Sequence, residues 1–289
     1  MGRASWEIPG KHIPGKHIPE KYSVRGWSTT APRGVLMVCE HLVLLRRRFL
    51  LTSLATSILN PLLYLIALGL GMGTLVDKGP GAGALGGASY VEFLAPALLC
   101  AAAVQTGVSE GAYPVLSGFI WSKVFWGMTA TPLTPRQIAD GELVFVTLRV
   151  VSGAALYYLV VLAFGAAGHP AGVLVVLIAT LTGLSCAVWV MALAAVMRNE
   201  GNGFNLVFRL VVVPMTLFSG TFFPISQLPP VVRPLAWISP LWHGNELSRS
   251  AALGSWEWGA DVGHLTYLLA LGAVGMLVVR RNFAERLIV

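Results

Sequence analysis

Long apolar runs with almost no charge recur along this chain, at about 49–71, 91–108, 143–164, 173–197, 204–218 and 265–279. A hydrocarbon core of roughly 30 Å takes about 20 apolar residues per helical crossing. Some of these runs are shorter than that, so their ends are blurred by several residues, but six crossings fit the length and leave only short loops. The fold class expected is an all-α integral membrane protein with six transmembrane helices. Composition agrees: 11% of the 289 residues are charged, whereas an ordinary soluble domain carries about 25% and needs that much to cover a water-facing surface. No stretch remains for a large soluble catalytic domain.

The formal net charge of +7 raises the question of nucleic acid, and the distribution of the bases answers it. Arg3, Lys11, Lys16, Lys21, Arg25, Arg33 and Arg46, Arg47, Arg48 precede the first run; Lys123 and Arg136 fall between the second and third, Arg198 between the fourth and fifth, and Arg280, Arg281 and Arg286 after the sixth. That places 15 bases on one side against Lys78, Arg233 and Arg249 on the other. By the positive-inside rule both termini are cytoplasmic, which an even number of spans requires. The charge is a topological bias in a multi-pass protein of a bacterial-type plasma membrane, with the lipid bilayer and not nucleic acid as its partner.

Residues 1–33 hold Pro9, Pro14, Pro19, Pro32 and the tandem repeat GKHIPGKHIP, with too few apolar residues to form a core. They read as a disordered cytoplasmic tail, and nothing there resembles a secretory signal. Residues 34–289 read as one transmembrane domain. Its first segment, Gly34 to Arg48, spaces Val35, Val38, Leu42 and Leu45 helically and closes on three arginines, as an interfacial amphipathic helix does. Between the second and third runs, Ile120, Trp121, Val124, Phe125 and Met128 share a face. There Thr134, Pro135 and Gln137 occupy N-cap, first-turn and N3 positions, a capping box that predicts a short cytoplasmic helix. Between the fifth and sixth, Pro224, Pro229, Pro230, Pro234 and Pro240 with Trp237 and Trp242 suit short half-inserted helices at the outer interface.

Enzymatic and metal chemistries find little purchase. Gly10-x4-Gly15-Lys16 resembles a phosphate-binding loop, but His17 stands where Ser or Thr holds Mg²⁺ and Pro14 removes a backbone donor. Gly81 to Gly86 fits GxGxxG without a βαβ unit around it. Three scattered cysteines and six scattered histidines form no zinc pattern. Ser185 and His264 are the nearest thing to a nucleophile and base for an intramembrane enzyme. Ionisable residues in or beside the runs, Glu92, Glu110, Glu142, Arg149, Arg209 and Glu246, deserve a functional hypothesis. Pairing or loop anchoring is favoured for them over a substrate or proton path, and Glu92, near the outer mouth of the second run, is the best path candidate. Gly69, Gly71 and Gly73 give a GxxxG at the end of the first run, which allows close helix approach and dimerisation or is equally well a Gly-rich exit from the span.

The stretches NPLLYLIALGLGMG (60–73), YVEFLAPALLCAA (90–102), ATPLTPRQIADGE (130–142) and FSGTFFPISQLPPVVRPLAWISPLWHGNELSR (218–249), in this order between six spans, resemble the membrane permease subunit of ABC-2 type ABC transporters. The likeness is to the branch that includes nodulation and daunorubicin-resistance exporters. It covers nearly everything after residue 34 and implies an exporter of hydrophobic or amphiphilic compounds, drugs or lipid-linked saccharides, working by alternating access. It implies that Thr131, Pro132, Leu133, Thr134, Pro135, Arg136, Gln137 and Ile138 form the coupling helix that docks on a separate ABC ATPase subunit, which binds ATP and Mg²⁺, with no cofactor on this chain. It implies also that Gly34 to Arg48 is the interface helix beside that ATPase, that the outer Pro-rich segment is re-entrant, and that two permeases, identical or related, enclose a path lined by spans one, two and five. Glu92, Phe222, Phe223 and Trp237 are the candidates for path or gate. The tail with its GKHIP repeat has no counterpart. The competing class is an ion-coupled secondary transporter using Glu92 or Glu142, although the sequence lacks the paired interrupted helices of an inverted repeat.

Overall fold

The computed structural model describes residues 31–79, 82–85, 87–165, 169–198 and 202–288. The GKHIP repeat and the tail up to residue 30 lie outside them. Among the described residues every regular element is helical. α1 (Ala31–Tyr64) continues through a π-helical stretch, Leu65–Leu70, into α2 (Gly71–Lys78). Then come α3 (Tyr90–Gly111), the short α4 (Tyr113–Phe119) and α5 (Val124–Thr129), α6 (Pro135–Ala163) and α7 (Leu174–Val196). α8 (Asn202–Val207) and α9 (Val213–Phe218) are joined by a second π-helical stretch, and α10 (Arg233–Ile238), α11 (Pro240–Leu253) and α12 (Trp258–Leu287) close the chain. The wide turns have a local cause: Pro61 and Pro214 stand beside them, each lacking the N–H that would continue the ordinary ladder.

Among the described residues five helices are long and apolar enough to cross a membrane: Leu59–Lys78, Tyr90–Phe119, Pro135–Ala163, Pro170–Val196 and Trp258–Leu287. The remaining apolar run is the shorter helix Gly203–Phe218, about 24 Å long at 1.5 Å per residue. It nevertheless joins the two ends of the bundle. Tyr113, just after α3, donates its hydroxyl to Asn205 at 3.4 Å, and Tyr90, at the start of α3, donates to the carbonyl of Phe222 at 3.1 Å. One end of the bundle thus gathers Arg46, Thr134, Met197 and Arg286, and is called the arginine-rich end below. The other gathers Ser89, Phe222, Trp237 and Gly254.

α3 and α7 form the central pair. Gly107 and Gly183 let their backbones touch: a Cβ on Gly107 would lie 2.6 Å from the Gly183 carbonyl oxygen, and one on Gly183 would lie 2.6 Å from that of Ala103. Small residues at such crossings are how helices pack in lipid, where apolar burial supplies no driving force between them. α11 wedges against both, with Gly244 over Thr182 and the buried Cys100 thiol 2.8 Å from the Ser248 hydroxyl. The three cysteines are free and buried. Gly69 and Gly73 face Val91 of α3, so this GxxxG serves a contact within the chain.

Two sequence expectations need correction. The segment Gly34 to Arg48 is not a separate interface helix; it is the first four turns of α1, since no helix breaker stands between Arg48 and Pro61. Its Val38 and Leu42, each 1% exposed, pack on α6, and Gly141 makes room for Val38, which a Cβ there would meet at 2.5 Å. Thr134 does cap a helix in a full capping box with Gln137, at 2.8 and 3.3 Å. That helix, however, is the 29-residue α6 itself, because nothing after Ile138 stops it. The free-standing short helix between spans two and three is α5, entered through Lys123 in the left-handed region at φ 52°, while α4 forms the last turns of the second span. The Pro-rich segment 224–253 contains α10 and α11, each with proline in its first turn, where the missing N–H costs nothing.

Candidate functional site: a polar cleft and the ion network at its floor

Between α1, α3 and the α8–α9 unit lies a cleft of about 560 Å³. Its walls follow from the polar interruptions of three otherwise apolar helices. Asn60 and Tyr64 come from α1; Gln105, Thr106, Ser109 and Glu110 from α3; Thr216 from α9; and Phe222 from the turn beyond. The polar residues of α3 recur at i, i+1, i+4 and i+5, which keeps them on one face, and Gln105 donates to Ser109 at 3.4 Å. The end near Phe222 is aromatic and aliphatic: Tyr64 and Phe222 hold their rings 6.0 Å apart, beside Leu98 and Leu217. The cleft thus joins a hydrogen-bonding floor to an apolar mouth. The three helices that bound it are the first, second and fifth of the predicted runs.

Below the floor lies a chain of charges. Glu142 of α6 has a fully buried side chain and accepts from Arg46 Nη2 at 2.9 Å; Arg46 Nη1 is 3.8 Å from Glu110; Glu110 in turn takes Arg149 Nε at 3.0 Å. Arg46 also lies over the Phe145 ring at 4.6 Å. Two carboxylates and two guanidiniums neutralise one another, tying α1, α3 and α6 at the arginine-rich end. Glu142 and Arg149 do share a helix face, as their spacing implies, yet each bonds to another helix and not to the other. Arg249 anchors the opposite end, donating to the carbonyls of Phe93 and Gly220, pairing with Glu246 at 3.0 Å and lying 3.6 Å over the Phe93 ring.

Of the four residues expected in a path or gate, the structure brings only Phe222 to the cleft. Glu92 completes the capping box of α3, accepting from the Ser89 backbone N–H and hydroxyl at 2.8 Å each. Phe223 and Trp237 are 38% and 50% exposed and lie away from the cleft lining. The acids that an ion-coupled transporter would use, Glu92 and Glu142, are thus held in a cap and an ion pair. Asn60, Gln105 and Thr216 were missed, although a polar residue inside an apolar run is itself a legible signal. In the expected coupling segment, Thr131, Pro132, Thr134 and Arg136 are exposed, Leu133, Pro135 and Gln137 half-buried, and Ile138 wholly buried. Ile138 therefore packs inside the bundle and offers nothing to a partner.

The nucleophile and base of an intramembrane enzyme are not assembled. Ser185 is buried, donates to the Thr182 carbonyl at 2.8 Å, and lies beside Gly272, two turns along α12 from His264. His264 Nδ1 instead meets His243 Nδ1 at 2.7 Å, and His243 Nε2 lies 3.0 Å from the Trp237 carbonyl. That carbonyl requires a proton on Nε2, so His243 accepts at Nδ1 and His264 donates. His243, outside the long helices, is pushed below the usual imidazole range, chiefly by burial. No group of three or more potential metal ligands occurs among the described residues. The GKHIP loop lies outside those residues, as do Gly81 and Gly86 of the GxGxxG stretch.

Comparison with known proteins agrees with the geometry. Nodulation protein J of Bradyrhizobium diazoefficiens is 30% identical over 239 residues, 83% of this chain and 86% of that protein. Nodulation protein J of Neorhizobium galegae is 28% identical over 204 residues, 70% and 74% of the two chains. No solved structure matches. The ABC-2 type transporter profile matches residues 35–253, a range that takes in the cleft, its ion network and the short helices α4 and α5, so the chain belongs to the ABC-2 type transporter family, a multi-pass membrane component of transport.

Proposed function

We propose that this chain is the permease subunit of an ATP-driven exporter that moves a hydrophobic or amphiphilic compound, a drug or a lipid-linked saccharide, out of the cytoplasm by alternating access. The observation that carries this is the cleft. Asn60 and Gln105 are exposed on its walls within apolar helices, and polar groups at membrane depth face a protein interior or a water-filled cavity, not hydrocarbon. A second permease copy, identical or related, covers the open side and completes the path. We take the helix Gly203–Phe218 as the sixth crossing, with both termini in the cytoplasm at the arginine-rich end, an orientation that the bias of the bases supports.

ATP and Mg²⁺ belong to a separate ABC ATPase subunit. Its docking surface is α5 with the exposed turn Ala130 to Thr134 and Arg136, while the start of α1 lies alongside. This surface shifts the expected coupling helix a few residues toward the N-terminus. Gly127 on α5 offers a clean test, since a Cβ there meets nothing within 4 Å and a larger side chain leaves the fold intact. Gly127→Arg should fold normally in nanodiscs yet fail to co-purify with the ATPase subunit, and vesicles carrying it should lose ATP-dependent efflux of a fluorescent amphiphile. ATP-independent efflux driven by a proton or sodium gradient in the wild type would overturn the reading in favour of a secondary transporter.

A further inference from the structure

Three phenylalanines from separate segments meet at the arginine-rich end. Phe119 closes α4, Phe125 sits in the first turn of α5, and Phe283 belongs to the last turns of α12. Their ring centroids are 4.9 Å (Phe119 to Phe125), 4.9 Å (Phe119 to Phe283) and 5.5 Å (Phe125 to Phe283) apart, and none is more than 3% exposed. Gly118 makes the approach sterically feasible, since a Cβ there would fall 2.3 Å from the Phe125 ring. The Trp126 indole N–H donates to the Phe119 carbonyl at 3.1 Å, fastening α5 to α4.

The last turns of α12 are held as firmly to α7. Arg286 lies 4.2 Å over the Phe119 ring and donates Nη1 to the carbonyls of Ala194, Ala195 and Met197 at 2.9, 2.9 and 2.7 Å. Those are the carbonyls that the end of α7 leaves without intrahelical donors. One turn earlier, Asn282 donates to the Ala192 carbonyl at 3.0 Å. By contrast, α5 is joined along the chain only through turns, residues 120–123 on one side, with Lys123 in the left-handed region, and residues 130–134 on the other. A turn yields under load, whereas a close-packed apolar contact transmits displacement.

We propose that Phe283 is the positioning residue through which the docking segment moves the C-terminal helix. Load on α5 passes through the Phe119, Phe125 and Phe283 rings into α12 and the end of α7, a route that bypasses the turns flanking α5. The inference rests on the ATPase-docking reading above.

Hydrogen exchange on the full chain in nanodiscs, with and without the ABC ATPase subunit, separates the two. In the wild type, ATPase binding should slow exchange about tenfold in residues 113–129 and also in 279–287. In Phe283→Ala the first protection should persist while the second falls below about twofold, and Phe283→Leu, which keeps apolar volume at the site, should restore it. Protection of 113–129 without any change in 279–287 of the wild type would overturn the proposal and leave docking standing, as would full propagation in Phe283→Ala. No protection of 113–129 in the wild type would overturn docking and the proposal together. Should Phe283→Ala fail to fold, Phe125→Cys with Phe283→Cys, in a chain whose native cysteines are replaced by alanine, decides: a short bis-thiol bridge should restore propagation that the unbridged pair lacks, and no gain on bridging would refute the route.

Discussion

Replacing Arg46 by methionine tests the ion network with the least change in shape. Arg46 is 18% exposed and Glu142 wholly buried, so the variant leaves a carboxylate at the floor of the bundle with no opposing charge. Glu110 fares better, since it keeps Arg149 at 3.0 Å and loses only a contact at 3.8 Å. The cost therefore falls on one ion, and removing one partner of a buried pair costs about 3–5 kcal/mol. At roughly 2–4 °C per kcal/mol for a chain of this order of size, that is a fall in Tm of about 6–20 °C. The three buried cysteines supply the assay, because a thiol-reactive dye fluoresces only as unfolding exposes them. Glu142→Gln in the Arg46→Met background removes the stranded charge and should recover at least half the loss, since a neutral amide costs far less to bury than an unpaired carboxylate. A fall in Tm under about 2 °C, or a double variant no better than the single one, would refute the assignment of Glu142 to Arg46.

Two further outcomes follow from the geometry. Glu92 acts as a cap, and glutamine serves that role as glutamate does. Glu92→Gln should thus keep stability within about 0.5 kcal/mol and leave ATP-driven efflux unchanged, while Glu92→Ala costs about 1 kcal/mol; loss of efflux in Glu92→Gln with a normal melting curve would return Glu92 to the path. Gly183→Ala should cost about 1–3 kcal/mol in the same thiol-dye melt, because the new methyl meets the Ala103 carbonyl oxygen at 2.6 Å and backbone cannot step aside; an unchanged Tm would show that α3 and α7 do not touch there.

How much of this was legible depended on the range of the interaction that decided it. The apolar runs, the bias of the bases and the capping box at Thr134 are local patterns, and each can be read without knowing where another segment lies. The family resemblance also held, because it rested on the order of such patterns along the chain. Where a helix ends is less local. Gly34 to Arg48 merges into α1, and Thr134 opens α6 instead of a short piece, because the next stop signal is too distant to end either helix and tertiary packing on Val38 and Gly141 extends the contact.

The fate of the ionisable residues belonged wholly to the tertiary structure. Glu92 and Glu142 look alike as single acids beside apolar runs, yet one closes a helix cap with a residue three positions away and the other is buried against an arginine 96 positions away. The same holds for the cleft, whose walls bring together residues as far apart in the sequence as Asn60 and Phe222, and for the meeting of Phe119, Phe125 and Phe283. By itself the sequence determined that this chain crosses a membrane, which end carries the bases and which family it belongs to, because solvent partitioning and local backbone chemistry act residue by residue. Which polar groups are neutralised and which remain to line a path was decided only when the helices packed, because a buried charge is set by whatever partner the fold brings within about 3 Å.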